Sequence, residues 1–312
     1  MYLEDYADKA IEIALQNGSQ YCDVRAETIE RKGFLLENGE IEHFASANDS
    51  GLGIRVLAGG AWGFYSISNP NSIEQIKNVT LDAVKNALHY SARKKHKVKL
   101  AETHTYVDNI NFKVSKQPVI EELTKLGFEC DGIIRSKKRI NKSSVSVGYE
   151  NFSKYFVNSD GAKISHTFTD TIANITATAH ESGLTESVNS TEGGRGGMEM
   201  LLGEHDIRKT AEFVSQKASE LIDAHTAKED KATVVMNPDF VALLAHEILG
   251  HPSEADRVLG KEMAWAGGAW WAGKLGQKIG SNQLNVIDDP TISDNLGCYK
   301  YDDEGVDRKS VV

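Results

Sequence analysis

A chain of 312 residues with 40% hydrophobic and 26% charged residues can bury a full apolar core without disulfide or metal support, which excludes a disordered chain or a metal-dependent mini-fold. Its formal net charge of −10, with no Lys/Arg stripe, excludes broad binding to nucleic acid or to anionic membrane surfaces. Three widely spaced cysteines, Cys22, Cys130 and Cys298, make no disulfide framework, the acidic start Tyr2-Leu3-Glu4-Asp5 is unlike a signal peptide, and no stretch approaches the ~20 apolar residues of a membrane span, so a reducing, cytoplasmic location is expected.

Residues 2–17 carry Leu3, Tyr6, Ala7, Ala10, Ile11 and Ala14 at helical spacing. Tyr21–Thr28, Gly33–Glu37, Glu40–Ala45 and Gly51–Leu57 read as strands of an antiparallel meander, divided by turn signals at Asn38-Gly39, Asn48-Asp49 and Gly59-Gly60. Ser72 followed by Gln75 forms a capping-box pattern that opens a helix with Ile73, Ile76, Val79, Ala83 and Ala87 on one face. The basic run Arg93–Lys99 reads as the solvated end of that helix, favoured by the helix dipole.

Residues 1–97 are thus expected to form an N-terminal α+β domain with an antiparallel sheet, and residues 98–115, which lack helical periodicity, a linker. Val119–Ile134 and Ile207–Ala224 read as helices, Ser143–Ala179 as a strand hairpin turning at Ser159-Asp160-Gly161, and Ala232–Met236 as a short buried strand. Residues 116–312 then make a second α+β domain, and the fold class is α+β.

The chemistry concentrates in Asn237–Pro252, which contains His246-Glu247-Ile248-Leu249-Gly250-His251-Pro252. Asn237 suits a helix N-cap, Pro238 the first helical position, and Val241, Leu244, Ala245 and Ile248 a buried stripe. On a regular helix His246 and His251 would lie about 140° apart, too far for both imidazoles to reach one ion. Gly250 terminates helices and Pro252 steers its predecessor out of the right-handed helical region, so the chain is expected to turn His251 back toward His246.

A hydrolytic zinc site takes three protein ligands, an open position for water and a carboxylate that accepts the water's proton. His246 and His251 fit the ligands and Glu247 the base. Glu254, Asp256, Glu262 and Asp288 could each add a carboxylate, although a solvated or structural role suits each better. The spacing alone leaves a solvated helix end with two histidines as an equal reading, because the common zinc-peptidase helix has one residue fewer between its histidines.

Other features are less specific. Gly193–Gly197 could admit a substrate backbone with Arg195 reaching a carboxylate, or form a plain loop. Trp265, Trp270 and Trp271 either shape a substrate cleft or pack a loop. Asp302-Asp303-Glu304-Gly305 lacks the alternating oxygens of a calcium loop and reads as a hairpin turn.

The segment His246-Glu247-Ile248-Leu249-Gly250-His251 followed by Glu254 resembles the motif helix of the TldD/PmbA metallopeptidases, the modulator of DNA gyrase family. Gly273-Lys274-Leu275-Gly276, Val286-Ile287-Asp288-Asp289-Pro290-Thr291 and Asp302-Asp303-Glu304-Gly305 resemble that family's later blocks. Asp23-Val24-Arg25, Glu37-Asn38-Gly39-Glu40-Ile41, and Gly51-Leu52-Gly53-Ile54-Arg55-Val56 with Gly63-Phe64 resemble its N-terminal domain.

The resemblance implies a zinc metalloendopeptidase that hydrolyses flexible or unfolded peptides, as a homodimer or as a heterodimer with a related subunit. It also implies a longer chain with a Cys as third zinc ligand in its C-terminal part. Cys298 precedes the Asp-Asp-Glu-Gly block and does not match that ligand. The chain is therefore expected to be a C-terminally truncated member with an incomplete second domain and metal site. The alternative is a non-catalytic peptide-binding or partner subunit whose open sheet edges accept an extended peptide.

Overall fold

Val24, Ala26, Phe34 and Leu36 are all buried at even positions of one long strand, β1 (Tyr21–Glu37). The computed structural model that shows this describes residues 2–262 and 268–308. β2 (Glu40–Ala58) returns antiparallel through Asn38-Gly39, and β3 (Ala61–Ser68) follows through Gly59-Gly60. All four turn residues have positive φ, as two-residue type I′ hairpins require. The paired short strands read from the sequence are therefore halves of two long ones.

β1 also pairs antiparallel with β5 (Ile140–Asn158) from Asp23 to Glu37, β5 pairs with β6 (Lys163–Glu181), and β6 with β7 (Leu184–Arg195). One sheet thus runs across both stretches of sequence. Within the stretch 98–115 read as a linker, Val107–Asn111 forms β4, which lies parallel to the start of β6. A five-residue strand carries too little alternation to stand out in sequence. The fold is α+β, with a seven-stranded, mainly antiparallel sheet.

Four helices cover one face of that sheet. α1 (Leu3–Gln16) and α2 (Ile73–Ser91) pack on Val24, Ala26, Ile54 and Val56, while α3 (Ile120–Arg135) and α4 (Ile207–Leu221) pack on Phe34, Leu36, Val145 and Ile175. Residues 24, 26, 34 and 36 alternate on one strand, so both clusters lie on the same side. Ser72 caps α2 by accepting from the Gln75 N–H, as its sequence pattern requires.

The opposite face carries charged and aromatic side chains and receives the segment 290–308. Asp23, fully buried, accepts from Arg25 at 2.9 Å and from Arg55 at 2.7 Å. Arg25 then donates to the Asp303 carbonyl, and Arg55 to Glu304 at 2.8 Å. Burial works against the Arg55 charge, yet Asp23 and Glu304 outweigh it and hold the guanidinium above its ordinary pKa. Tyr301 packs on Phe156 and Ile164, and a bridge between Tyr301 and Asp307 closes the hairpin turn expected at Asp302–Gly305. Two motif blocks far apart in sequence thus form one charged clasp.

By contact density the described chain falls into two units, a larger one holding residues 2–224 and 290–308 and a smaller one holding 225–289. The smaller unit contains α5 (Pro238–Ala245) and α6 (Ala255–Val258). Ala232–Met236, expected as a buried strand, is irregular, with Val234 and Val235 exposed. Its β-branched residues find no ladder partner among the described residues, and strand preference is expressed only against neighbours that pack on it.

Candidate metal centre

α5 begins where the sequence signals it, with the Asn237 side chain accepting from the Phe240 N–H at 3.0 Å and Pro238 in the first turn. After Ala245 the chain continues as a π turn over His246–Gly250, in which the His251 N–H donates to the His246 carbonyl. A hydrogen bond spanning five residues sets residue i+5 over residue i, so the two histidines share one face.

The expected cause needs correction. His251 keeps right-handed helical angles, φ −55° and ψ −45°, and the chain is not turned back at Gly250. Pro252 acts differently: it has no N–H for the Ile248 carbonyl, and its ring would crowd that carbonyl in a regular helix, so the turn widens. The Ile248 carbonyl is taken instead by the indole N–H of Trp270 at 2.8 Å.

His246 Nε2 and His251 Nε2 face each other at 3.0 Å, with the rings T-shaped. The Glu247 carboxylate lies 4.0 Å from His251 Nε2. His251 Nδ1 is 2.6 Å from Glu254, whose other oxygen is 2.6 Å from the Arg257 guanidinium. The hydrogen bond from His251, with the Arg257 charge beside it, lowers the Glu254 carboxyl below its ordinary pKa and keeps it an acceptor. This network assigns the proton to His251 Nδ1 and leaves Nε2 its lone pair.

The donor set fits a zinc-sized ion. Two nitrogens at 2.0–2.1 Å from one tetrahedral ion stand about 3.3 Å apart, close to the separation already present. His246, Glu247 and His251 are the one group of potential ligands that converges among the described residues. Asp256, Glu262 and Asp288 are not part of it, and Glu254 faces the back of His251, where it orients the ring.

That orienting role and the Trp270 contact were not read from the sequence, although a Glu three residues after the second His and a Pro just after it were the available signals. Trp271 is half-buried, and Trp265 lies outside the described residues. Gly193 and Gly194 close β7 instead of forming a loop. Arg195 is buried, ion-paired to Asp170 at 2.9 Å and stacked on Phe168, so it does not reach for a substrate. Its guanidinium also holds the carbonyl of Cys298, which is buried in the larger unit.

Three profiles of PmbA/TldA metallopeptidases match in order, domain 1 over residues 22–87, the central domain over 113–222 and the C-terminal domain over 229–312. A metalloprotease of Methanocaldococcus jannaschii is 31% identical, over 97% of this chain and 65% of its own. One of Methanothermobacter thermautotrophicus is 30% identical, over 94% and 62%. A zinc metalloprotease TldD homologue of Saccharolobus solfataricus is 25% identical, over 97% and 64%. The chain spans a little under two thirds of the length of these relatives.

Among solved structures, a protein from Thermotoga maritima described as a modulator of DNA gyrase has a TM-score of 0.78 at 17% identity, over 99% of this chain and 68% of that one. TldE from Thermococcus kodakarensis has a TM-score of 0.72 at 17% identity, over 98% and 66%. Both share the fold. With its three domain profiles matched in sequence order, the chain belongs to the PmbA/TldD metallopeptidase family.

Proposed function

We propose that the protein is a zinc-dependent endopeptidase that hydrolyses flexible or unfolded peptides in the cytoplasm, with residues 116–312 as the catalytic part and a like or related subunit as partner. The observation that supports this reading most is the approach of His246 and His251 to 3.0 Å across a π turn, with Glu247 beside them. The metalloprotease names of the relatives agree with it.

Bound between the imidazoles, Zn²⁺ would polarise the scissile carbonyl and bring the pKa of a water near neutrality. His246 and His251 would hold the ion, and Glu254, hydrogen-bonded to His251 Nδ1, would keep that ring turned toward it. Glu247, half-exposed at the same turn, takes the proton of the attacking water and passes it to the leaving amine.

The test is zinc binding and hydrolysis of an unfolded peptide by a protein that carries this chain together with the relatives' additional region, and by its Glu247→Gln variant. The variant is expected to keep its zinc and lose turnover by roughly 10²–10⁴-fold. Unchanged turnover would remove Glu247 as the base, and a longer wild-type protein that takes up no zinc would remove the metal reading.

A further inference from the structure

His251, Glu254 and Arg257 follow one another at equal spacing, the last of them on the single-turn helix α6. The two carboxylate oxygens of Glu254 are used separately. Oε1 lies 2.6 Å from His251 Nδ1, and Oε2 lies 2.6 Å from Arg257 Nε. A carboxylate held through both oxygens cannot turn without giving up one of its contacts.

Arg257 is placed unlike its neighbours. Ala255, Asp256 and Leu259 are exposed, whereas the Arg257 side chain is only 12% exposed. A long cationic side chain normally keeps its head in water, and drawing it in costs desolvation unless a carboxylate receives it. Among the described residues Glu254 is the carboxylate that does so. Fully exposed ion pairs contribute little because two free side chains must be ordered, but here the cation is already confined.

We propose that Arg257 is a positioning residue of the candidate metal centre, pinning Glu254 against His251 Nδ1 so that Glu254 orients the ring instead of turning to the ion. This role rests on the zinc reading above and adds to it a residue outside the convergent group. Carboxylate oxygens are themselves zinc ligands, and Glu254 sits close to one of the two histidines, so its role depends on what restrains it. The oxygen free to swing away from His251 is the one that Arg257 holds.

Two simpler roles for Arg257 lead to different outcomes. A guanidinium acting only through its charge repels a dication, so removing it would tighten zinc binding. A side chain acting only on the local fold would weaken zinc binding by the same factor whether or not Glu254 is intact. A pin does neither: its removal weakens binding, and only while residue 254 is a carboxylate.

One test needs no metal. At about pH 8, where an ordinary imidazole is neutral, the nitrogen NMR signals of His251 show which ring nitrogen carries the proton. In the zinc-free chain Nδ1 is expected to carry it. Arg257→Gln should give a mixture of tautomers with the circular dichroism of the fold retained, and Arg257→Lys, which keeps a cation, should largely restore the wild-type signal.

The second test is zinc affinity, read by chelator competition in a protein that carries this chain together with the relatives' additional region. Arg257→Gln is expected to weaken zinc binding about tenfold and Arg257→Lys about threefold. Added to Glu254→Gln, Arg257→Gln should change the affinity by less than about twofold. Unchanged or tighter zinc in Arg257→Gln, an equal loss in both backgrounds, or an unaltered His251 tautomer overturns the positioning role and leaves the metal reading standing. A longer wild-type protein that takes up no zinc overturns both.

Discussion

The indole N–H of Trp270 donates at 2.8 Å to the carbonyl of Ile248, the group that Pro252 leaves without its usual helical donor. The proline thus opens the turn and the tryptophan satisfies the carbonyl it frees. Pro252→Ala returns that N–H and lets the π turn tighten toward a regular helix, carrying His251 away from His246. Zinc affinity, read by competition with a chromophoric chelator, is expected to fall at least about a hundredfold. Trp270→Phe keeps the proline and removes one hydrogen bond worth about 1 kcal/mol, so its loss should be about fivefold. Equal affinity in Pro252→Ala and the wild type would show that the π turn does not depend on the proline.

Glu254 is hydrogen-bonded to His251 at 2.6 Å and lies outside the convergent group of potential ligands, so in the proposed site it is expected to act through the ring and not as a ligand. Glu254→Gln should lower zinc affinity about tenfold and Glu254→Ala toward a hundredfold, while turnover per bound zinc changes little. A collapse of turnover at full zinc occupancy would instead place Glu254 in the chemistry itself.

The candidate site was legible in residue types and only partly in geometry. His246, Glu247 and His251 follow from the kind of donors a hydrolytic zinc takes, and Asn237-Pro238 marked the helix start that carries them. The closure could not be read in the same way, because a π turn is a compromise between a proline ring and a helical ladder that no periodicity announces. The sheet shows a similar limit. Local signals such as Asn38-Gly39 announced each hairpin, whereas the pairing of Asp23–Glu37 with Ser144–Asn158 is non-local and leaves no mark in a sequence window. The clasp of Arg25 and Arg55 on Asp303 and Glu304 was hidden for the same reason.

Gly63 marks the closest approach of α2 to the sheet, since a Cβ there would stand 2.0 Å from the Ala83 carbonyl oxygen. That oxygen belongs to the helix backbone and cannot step aside alone, so α2 would have to move as a body. Gly63→Ala is expected to destabilise the fold by about 3 kcal/mol, seen as a lower urea midpoint with an unchanged slope. A midpoint equal to that of the wild type would mean that α2 shifts freely on β3.

His166 on β6 provides a pH handle within the larger unit. Burial first, then the charges of Lys154 and Arg195, hold its pKa below the ordinary value, against the smaller opposing pull of Asp108 and Asp303. Tyr301 and Phe112 flank the ring. The unfolded chain therefore takes up this proton first. Stability is full above about pH 6.5 and declines as pH falls from there toward the lowered native value. Melting temperatures across that window should fall less steeply in His166→Gln. Parallel curves for the two proteins would remove His166 from the pH response.

Two imidazoles are one ligand short of the three that a catalytic zinc normally takes from protein, and the convergent group adds only Glu247, which is assigned to the proton. The curated relatives are longer by roughly half of this chain's length, judged from the 62–65% of them that it spans. A protein that carries this chain together with the relatives' additional region is therefore expected to hold zinc at least about a hundredfold more tightly than residues 1–312, and to hydrolyse peptides where the shorter chain is nearly inactive. Chelator competition and a fluorogenic unfolded peptide, applied to both lengths, read the two effects separately. Near-stoichiometric zinc and full hydrolysis from residues 1–312 would instead place a third ligand inside this sequence, and alanine substitution of Glu254, Asp256, Glu262, Asp288 and Cys298 one at a time would then identify it.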